Sequence, residues 1–109
     1  MAARVHRGDV LLVNLDPTVG SGIRKTRPCV VVSPDELNNH LGTVMVAPMT
    51  TQGSLYPFRI GCRFQGKTGQ VVADQLRTID TSRVSRVLGR LPGPTIENVL
   101  AVLQEMFHI

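Results

Sequence analysis

The sequence predicts a single mainly β (α+β) domain of five to seven short strands, bent into a tight sheet or small barrel, with one amphipathic helix at its C-terminus. Three observations predict it. Short apolar segments rich in Val recur along the chain, each ended within a few residues by Gly, Pro, Asp or Ser. The apolar period becomes helical only once, after Pro92-Gly93-Pro94. The 109 residues suffice for one hydrophobic core and fall short of two ordinary ones, so residues 1–109 are read as one domain. An open sheet of such short strands would expose long edges, which bending or closure removes.

The first strand is Val10-Leu11-Leu12-Val13-Asn14-Leu15, opened by Gly8-Asp9 and closed by Asp16-Pro17. Residues Asp16 to Thr26 hold Pro, Thr, Ser and Gly with Arg24 and Lys25 near the end, the composition of a long hairpin loop, and loops of that length in small domains usually serve function. Cys29-Val30-Val31-Val32 reads as a buried central strand with Pro28 confined to its start. In Ser33-Pro34-Asp35-Glu36, a serine N-cap, a proline at the first helical position and a glutamate three residues after the cap predict a capping box and a short helix ending by Asn39 or His40. Thr43 to Pro48 is a third strand. From Phe58 to Phe64, apolar Phe58, Ile60, Cys62 and Phe64 alternate with Arg59, Gly61 and Arg63, a half-buried strand whose two phenylalanines read as core. Gln65 to Gly69 is a tight turn, Gln70 to Leu76 pairs back as a hairpin, and Ser85 to Leu91 is the last strand. Ile96, Val99, Leu100, Leu103, Met106 and Phe107 then mark one face of the C-terminal helix.

Composition limits function next. Apolar residues make up 42% of the chain without any run near the roughly 20 residues that span a bilayer, and the N-terminus lacks the apolar region and cleavage site of a secretory signal. A soluble, cytoplasmic protein is expected. Cys29 and Cys62 sit in strand-like segments without zinc or redox spacing and read as free thiols. His6, His40 and His108 are scattered, so no metal site is expected. The net charge is +4, and the cations are ten Arg and two Lys. The guanidinium fork matches phosphate or carboxylate, which leaves RNA, DNA and acidic protein segments open as partners. With no Trp, one Tyr and three Phe, an extensive base-stacking platform is not expected.

Separated blocks stand out along nearly the whole chain: Arg7-Gly8-Asp9-Val10, Leu15-Asp16-Pro17-Thr18-Val19-Gly20-Ser21, Thr26 to Pro34, Val46-Ala47-Pro48-Met49-Thr50-Thr51-Gln52, Tyr56-Pro57-Phe58, and Ala73 to Asp80. Together and in this order they resemble the MazF/PemK toxin family. The resemblance implies an SH3-like barrel, a homodimer in the bacterial cytoplasm, and a sequence-selective endoribonuclease toxin (an mRNA interferase) that cuts single-stranded RNA without metal or cofactor. It also implies a cognate antitoxin whose acidic, disordered segment covers the RNA groove. The implied reaction is attack of the RNA's own 2′-hydroxyl on phosphorus, leaving a 2′,3′-cyclic phosphate and a 5′-hydroxyl.

Such a reaction needs in-line positioning and donors aimed at the charge that develops on phosphorus. The family's matching positions here are Arg27 and Thr50, with Asp74 as a candidate for acid or base work. Read alone, Arg27 is equally an arginine tying the loop to the sheet, Thr50 an ordinary strand-end threonine, and Asp74 a carboxylate holding backbone N–H groups or Arg77. Branches of the family carry a glutamate after the loop glycine; this chain has Gly20-Ser21-Gly22 instead. Ser21, Arg24 and Lys25 are expected to bind substrate from the loop, and Thr51, Gln52, Gln75 and Arg77 to contact base edges by hydrogen bonding. Lys67 reads as a solvated charge. Two rival functions remain: a catalytically silent module that binds RNA or antitoxin, and a gyrase poison on the same barrel. The second normally carries a C-terminal tryptophan, and this chain ends Met106-Phe107-His108-Ile109.

Overall fold

Two apolar clusters, one on each side of the central strands, explain why the strongest strand segments are unbroken apolar runs. The computed structural model describes residues 4–15, 25–53 and 56–109. Its strands are β1 (Asp9–Asn14), β2 (Thr26–Val31), β3 (Thr43–Thr50), β4 (Arg59–Phe64), β5 (Lys67–Val72), β6 (Arg77–Asp80) and β7 (Val84–Arg90). The helices are α1 (Asp35–Asn38) and α2 (Gly93–Met106), with 3-10 turns at Ala73–Gln75 and Thr81–Arg83. Alternate residues of the central strands serve opposite sides. Val10, Val30, Ala47 and Met49 pack with Ile60, Val71, Ile96 and Val99. Leu11, Val13, Cys29, Val31, Val44 and Val46 pack with Val5, Leu15 and Ile79. A strand buried on both faces has no polar side to display, which is the pattern of Cys29-Val30-Val31-Val32.

All pairings are antiparallel. The hydrogen-bonded path runs β4-β5-β3-β2-β1-β7, and β6 joins β3 beside it. The long strand β3 therefore pairs twice along one edge, with β6 over Thr43 to Val46 and with β5 at Met49 and Thr50. Splitting its partners between two directions bends the sheet. Among the described residues the ladder does not close, yet its end strands meet through side chains. Gln65 Nε2 donates to the Leu88 carbonyl at 3.4 Å, and the Phe64 ring lies over Gly89, where a Cβ would stand 3.3 Å from it. Helix α2 buries Ile96 and Val99 against the first cluster and crosses β4. The predicted sheet with a C-terminal helix is thus the observed one, in a barrel-like form.

Local departures have tertiary causes. The serine cap does not form: Pro34 precedes α1 without a side-chain cap, and the Ser33 hydroxyl instead accepts from the Met45 N–H of β3 and donates to Asn38 Oδ1. A buried strand N–H without an acceptor costs more than a frayed helix end, so the strand keeps the serine. Phe58 leaves the predicted alternation, because the chain turns at Pro57 and Phe58 adopts a φ of 66°, the residue being 41% exposed. The β4–β5 turn is only Gln65-Gly66, both at positive φ (52° and 77°), and Phe64 pairs directly with Lys67. That is the two-residue hairpin whose twist matches the strands. Strand β6 lies beyond the hairpin segment predicted to end at Leu76, where the sequence reading assigns no element.

Candidate functional site

The registers assemble one rung across four strands. Strands β2 and β3 pair Cys29 with Pro48, Val30 with Ala47 and Val31 with Val46; continuing that register by two residues sets Arg27 alongside Thr50. Thr50 in turn faces Gln70 of β5, and Gln70 faces Gly61 of β4. The rung borders a hollow of about 200 Å³ lined by Arg27, Thr50, Thr51 and Gln70, with Met49, Cys62 and Phe64 as apolar walls and Lys67 at one side. β5 can approach β3 this closely because residue 69 is glycine: a Cβ there would lie 2.5 Å from the Thr50 carbonyl oxygen.

Polar groups at the hollow are held without being used up. The Thr50 hydroxyl accepts from the Gln52 N–H at 3.1 Å, so its own hydrogen stays free to donate. Gln70 is 3% exposed, and its Nε2 donates to the Gln52 carbonyl at 2.9 Å. Gln52 is thereby clamped from both sides. Arg27 Nε and Gln70 Oε1 are buried without any hydrogen-bond partner. Both belong to residues lining this hollow, and a buried unpaired donor or acceptor costs about 1–3 kcal/mol unless a ligand completes it. Donors on Arg27 and Thr50, an acceptor on Gln70 and a further cation on Lys67 suit an anionic group carrying N–H donors.

The hollow's thiol is not a ready nucleophile. Desolvation raises the Cys62 thiol above its ordinary value, and burial pushes Cys29 up to about 12 despite the nearby Arg77. Both remain protonated at neutral pH. Among the described residues no group of three His, Cys, Asp or Glu side chains is placed to hold a metal ion.

Of the residues singled out from sequence, Arg27, Thr50 and Thr51 come together at the hollow, with Gln52 clamped at its rim. Asp74 does not line it. Its carboxylate grips Arg59 through two hydrogen bonds of 3.0 and 3.1 Å, and Arg59 lies over the Tyr56 ring at 5.1 Å. Those hydrogen bonds hold the Asp74 carboxyl below its ordinary 3.8. Gln75 ends a 3-10 turn, half-buried and away from the hollow. Arg77 donates to the Leu15 carbonyl at 3.3 Å, beside Arg83, which donates to the Asn14 carbonyl at 3.2 Å. These two arginines secure the end of β1. Lys25 is exposed at a φ of 71°, and its carbonyl accepts from Leu15 N–H. Ser21, Arg24 and most of the expected long loop lie outside the described residues. Sequence reasoning missed Gln70, Phe64 and Lys67 as site residues. Nothing in a strand pattern separates a buried glutamine from an exposed one, and only the two-residue turn brings Lys67 back beside Phe64.

Similarity to known proteins bears on this arrangement. The chain is 42% identical over 72 residues to the endoribonuclease toxin MazF of Escherichia coli, a match covering 66% of this chain and 65% of that protein's length. It is 35% identical over 105 residues to the endoribonuclease PemK of Escherichia coli, covering 91% and 79%. The crystal structure of MazF from Deinococcus radiodurans superposes with a TM-score of 0.87 at 26% identity, over 99% of this chain and all of that one (100%). Residues 6–107 match the family described as PemK-like, MazF-like toxin of type II toxin-antitoxin system, and the chain belongs to that family.

Proposed function

We propose that this chain is an endoribonuclease toxin that cuts single-stranded messenger RNA in the bacterial cytoplasm, using the RNA's own 2′-hydroxyl as nucleophile. The observation that carries it is one hollow lined both by Arg27, whose Nε is buried and unpartnered, and by Thr50, with room for a phosphodiester. The naming of the Escherichia coli relatives as endoribonucleases supports it. In this reading the 2′-oxygen forms a bond to phosphorus while the bond to the 5′-oxygen breaks. The 2′-hydroxyl proton is lost and the 5′-oxygen gains one. Arg27 and the Thr50 O–H donate to the non-bridging oxygens as their negative charge grows, where preorganised donors stabilise the transition state most.

Asp74, held by Arg59, acts in this reading as a positioning group: it ties the start of β4 to the 3-10 turn below the site. Ser21, Arg24 and Lys25 contribute substrate contacts from the β1–β2 connection, and Thr51, Gln52, Gln75 and Arg77 extend the surface for bases. The chain works as a homodimer and is neutralised by an antitoxin. An acidic antitoxin segment complements the net charge of +4, and the family's description as one half of a toxin-antitoxin system supports such a partner.

The test is to incubate the protein with a long unstructured RNA in EDTA and map the new ends. Discrete cuts with 5′-hydroxyl ends, abolished in Arg27→Ala, are expected. Intact RNA with tight RNA or antitoxin binding would replace this reading with the silent module, and inhibited DNA supercoiling with the gyrase poison.

A further inference from the structure

We infer that Gln70 is a specificity-determining residue: its amide oxygen accepts a hydrogen bond from an N–H donor on the edge of one unstacked RNA base seated in the hollow beside the scissile phosphate. The inference rests on the ribonuclease reading and goes beyond it by naming what is recognised and by which atom.

The polarity of the Gln70 amide is determined by its surroundings. The Gln52 carbonyl can only accept, so the Gln70 atom that meets it at 2.9 Å is the NH2 group. The same nitrogen is closed in by the turn, standing 3.2 Å from where a Cβ on Gly53 would be. The amide cannot reverse without setting its oxygen against the Gln52 oxygen. Oε1 is therefore held as a fixed acceptor, buried and unpaired, on a residue that lines the hollow.

The walls match a base as well. Phe64, Cys62 and Met49 provide apolar surface against which a planar ring can lie, and the adjoining cations Arg27 and Lys67 lie where the phosphate backbone would pass. The rung sets Thr50, the proposed phosphate contact, directly across from Gln70. A base read there is consequently a neighbour of the bond that is cut. A site holding a rigid, desolvated acceptor rejects a ligand that lacks the matching donor, because nothing else satisfies the acceptor.

The experiment uses the cleavage sequence mapped for the wild-type protein. Short RNAs of that sequence are made with one base at a time replaced by an analogue lacking an N–H donor: purine for adenine, pyrimidin-2-one for cytosine, hypoxanthine (without the 2-amino group) and, separately, 2-aminopurine (without N1–H) for guanine, and N3-methyluracil for uracil. At one position next to the cut, the wild type should cleave the analogue about 10- to 100-fold more slowly than the natural RNA. Gln70→Met, and Gln70→Leu as a second variant, should cleave the two RNAs at rates within about threefold of each other, losing discrimination that a merely structural glutamine would leave intact. Equal rates on every analogue in the wild type, a measurement needing no variant, would overturn the inference while leaving the ribonuclease reading in place. Full discrimination in Gln70→Met would do the same. RNA that shows no Arg27-dependent cuts at all would remove both.

Discussion

The two ends of β3 are built to opposite rules. At the Thr43–Val46 end, β6 completes the ladder and the surrounding polar groups are matched. The Ser33 hydroxyl serves Met45 N–H, Asn38 donates to the Ser33 carbonyl, Thr81 donates to the Gly42 carbonyl, and Asp80 caps Ser82. At the Met49–Thr50 end, β5 pairs for only two residues, and a guanidinium nitrogen and an amide oxygen lie buried with nothing to bond. The same strand thus contributes stability at one end and unspent bonding capacity at the other. Unpaired buried groups cost free energy in the folded protein, so their occurrence at one hollow among the described residues supports the proposal that a ligand binds there.

That contrast can be broken most sharply at Arg27. Arg27→Met removes the unpaired donor in an apolar side chain of similar length. Cleavage should fall roughly 100- to 1,000-fold, in proportion to the loss of one preorganised donor to developing charge, while the melting temperature holds or rises. A melting temperature that collapses together with activity would make Arg27 a structural tie and undo the contrast. Ser33→Ala is the mirror experiment. It leaves the Met45 N–H unsatisfied and should cost about 1–3 kcal/mol in denaturant unfolding with the cleavage rate per folded molecule unchanged.

Gly69→Ala sharpens the contrast from the other side. Its Cβ would meet the Thr50 carbonyl at 2.5 Å, so β5 must retreat from β3 at a cost of about 1–3 kcal/mol. Because that retreat moves Thr50 and Gln70 apart, the cleavage rate of the folded protein should drop as well, which Ser33→Ala must not show.

The smallest effect is electrostatic. The folded-state pKa of Asp74 lies below its ordinary 3.8 through its Arg59 hydrogen bonds. Its contribution is therefore fully present above that value and is lost as pH falls through the folded value. The side chain is 40% exposed, and such a pair contributes less than about 1 kcal/mol. The urea midpoint of Asp74→Asn should lie slightly below wild type at neutral pH, with the gap closing in acid. A gap that widens in acid would reverse the sign.

Much of the candidate site was legible before the structure. Arg27 and Thr50 stood out through their family blocks, and the two residues do meet, because both flank apolar runs long enough to define strands and end at the same rim. Gln70 was hidden for the opposite reason. It lies between Gly69 and Val71 in a segment whose pattern predicts only a strand. Asp74 was legible as a paired carboxylate but not by partner: Arg59 binds it across the β4–β5 hairpin, whereas Arg77, three residues away in sequence, reaches for the Leu15 carbonyl.

By itself the sequence determined which segments extend and which one coils, since Val-rich runs, turn residues and helical spacing act over a few neighbours. It also specified the cationic surplus and the family. Only the tertiary structure decided which polar groups find partners. That depends on strand register and on where β3 divides its pairing between β5 and β6, contacts between residues distant in the chain that no local pattern encodes.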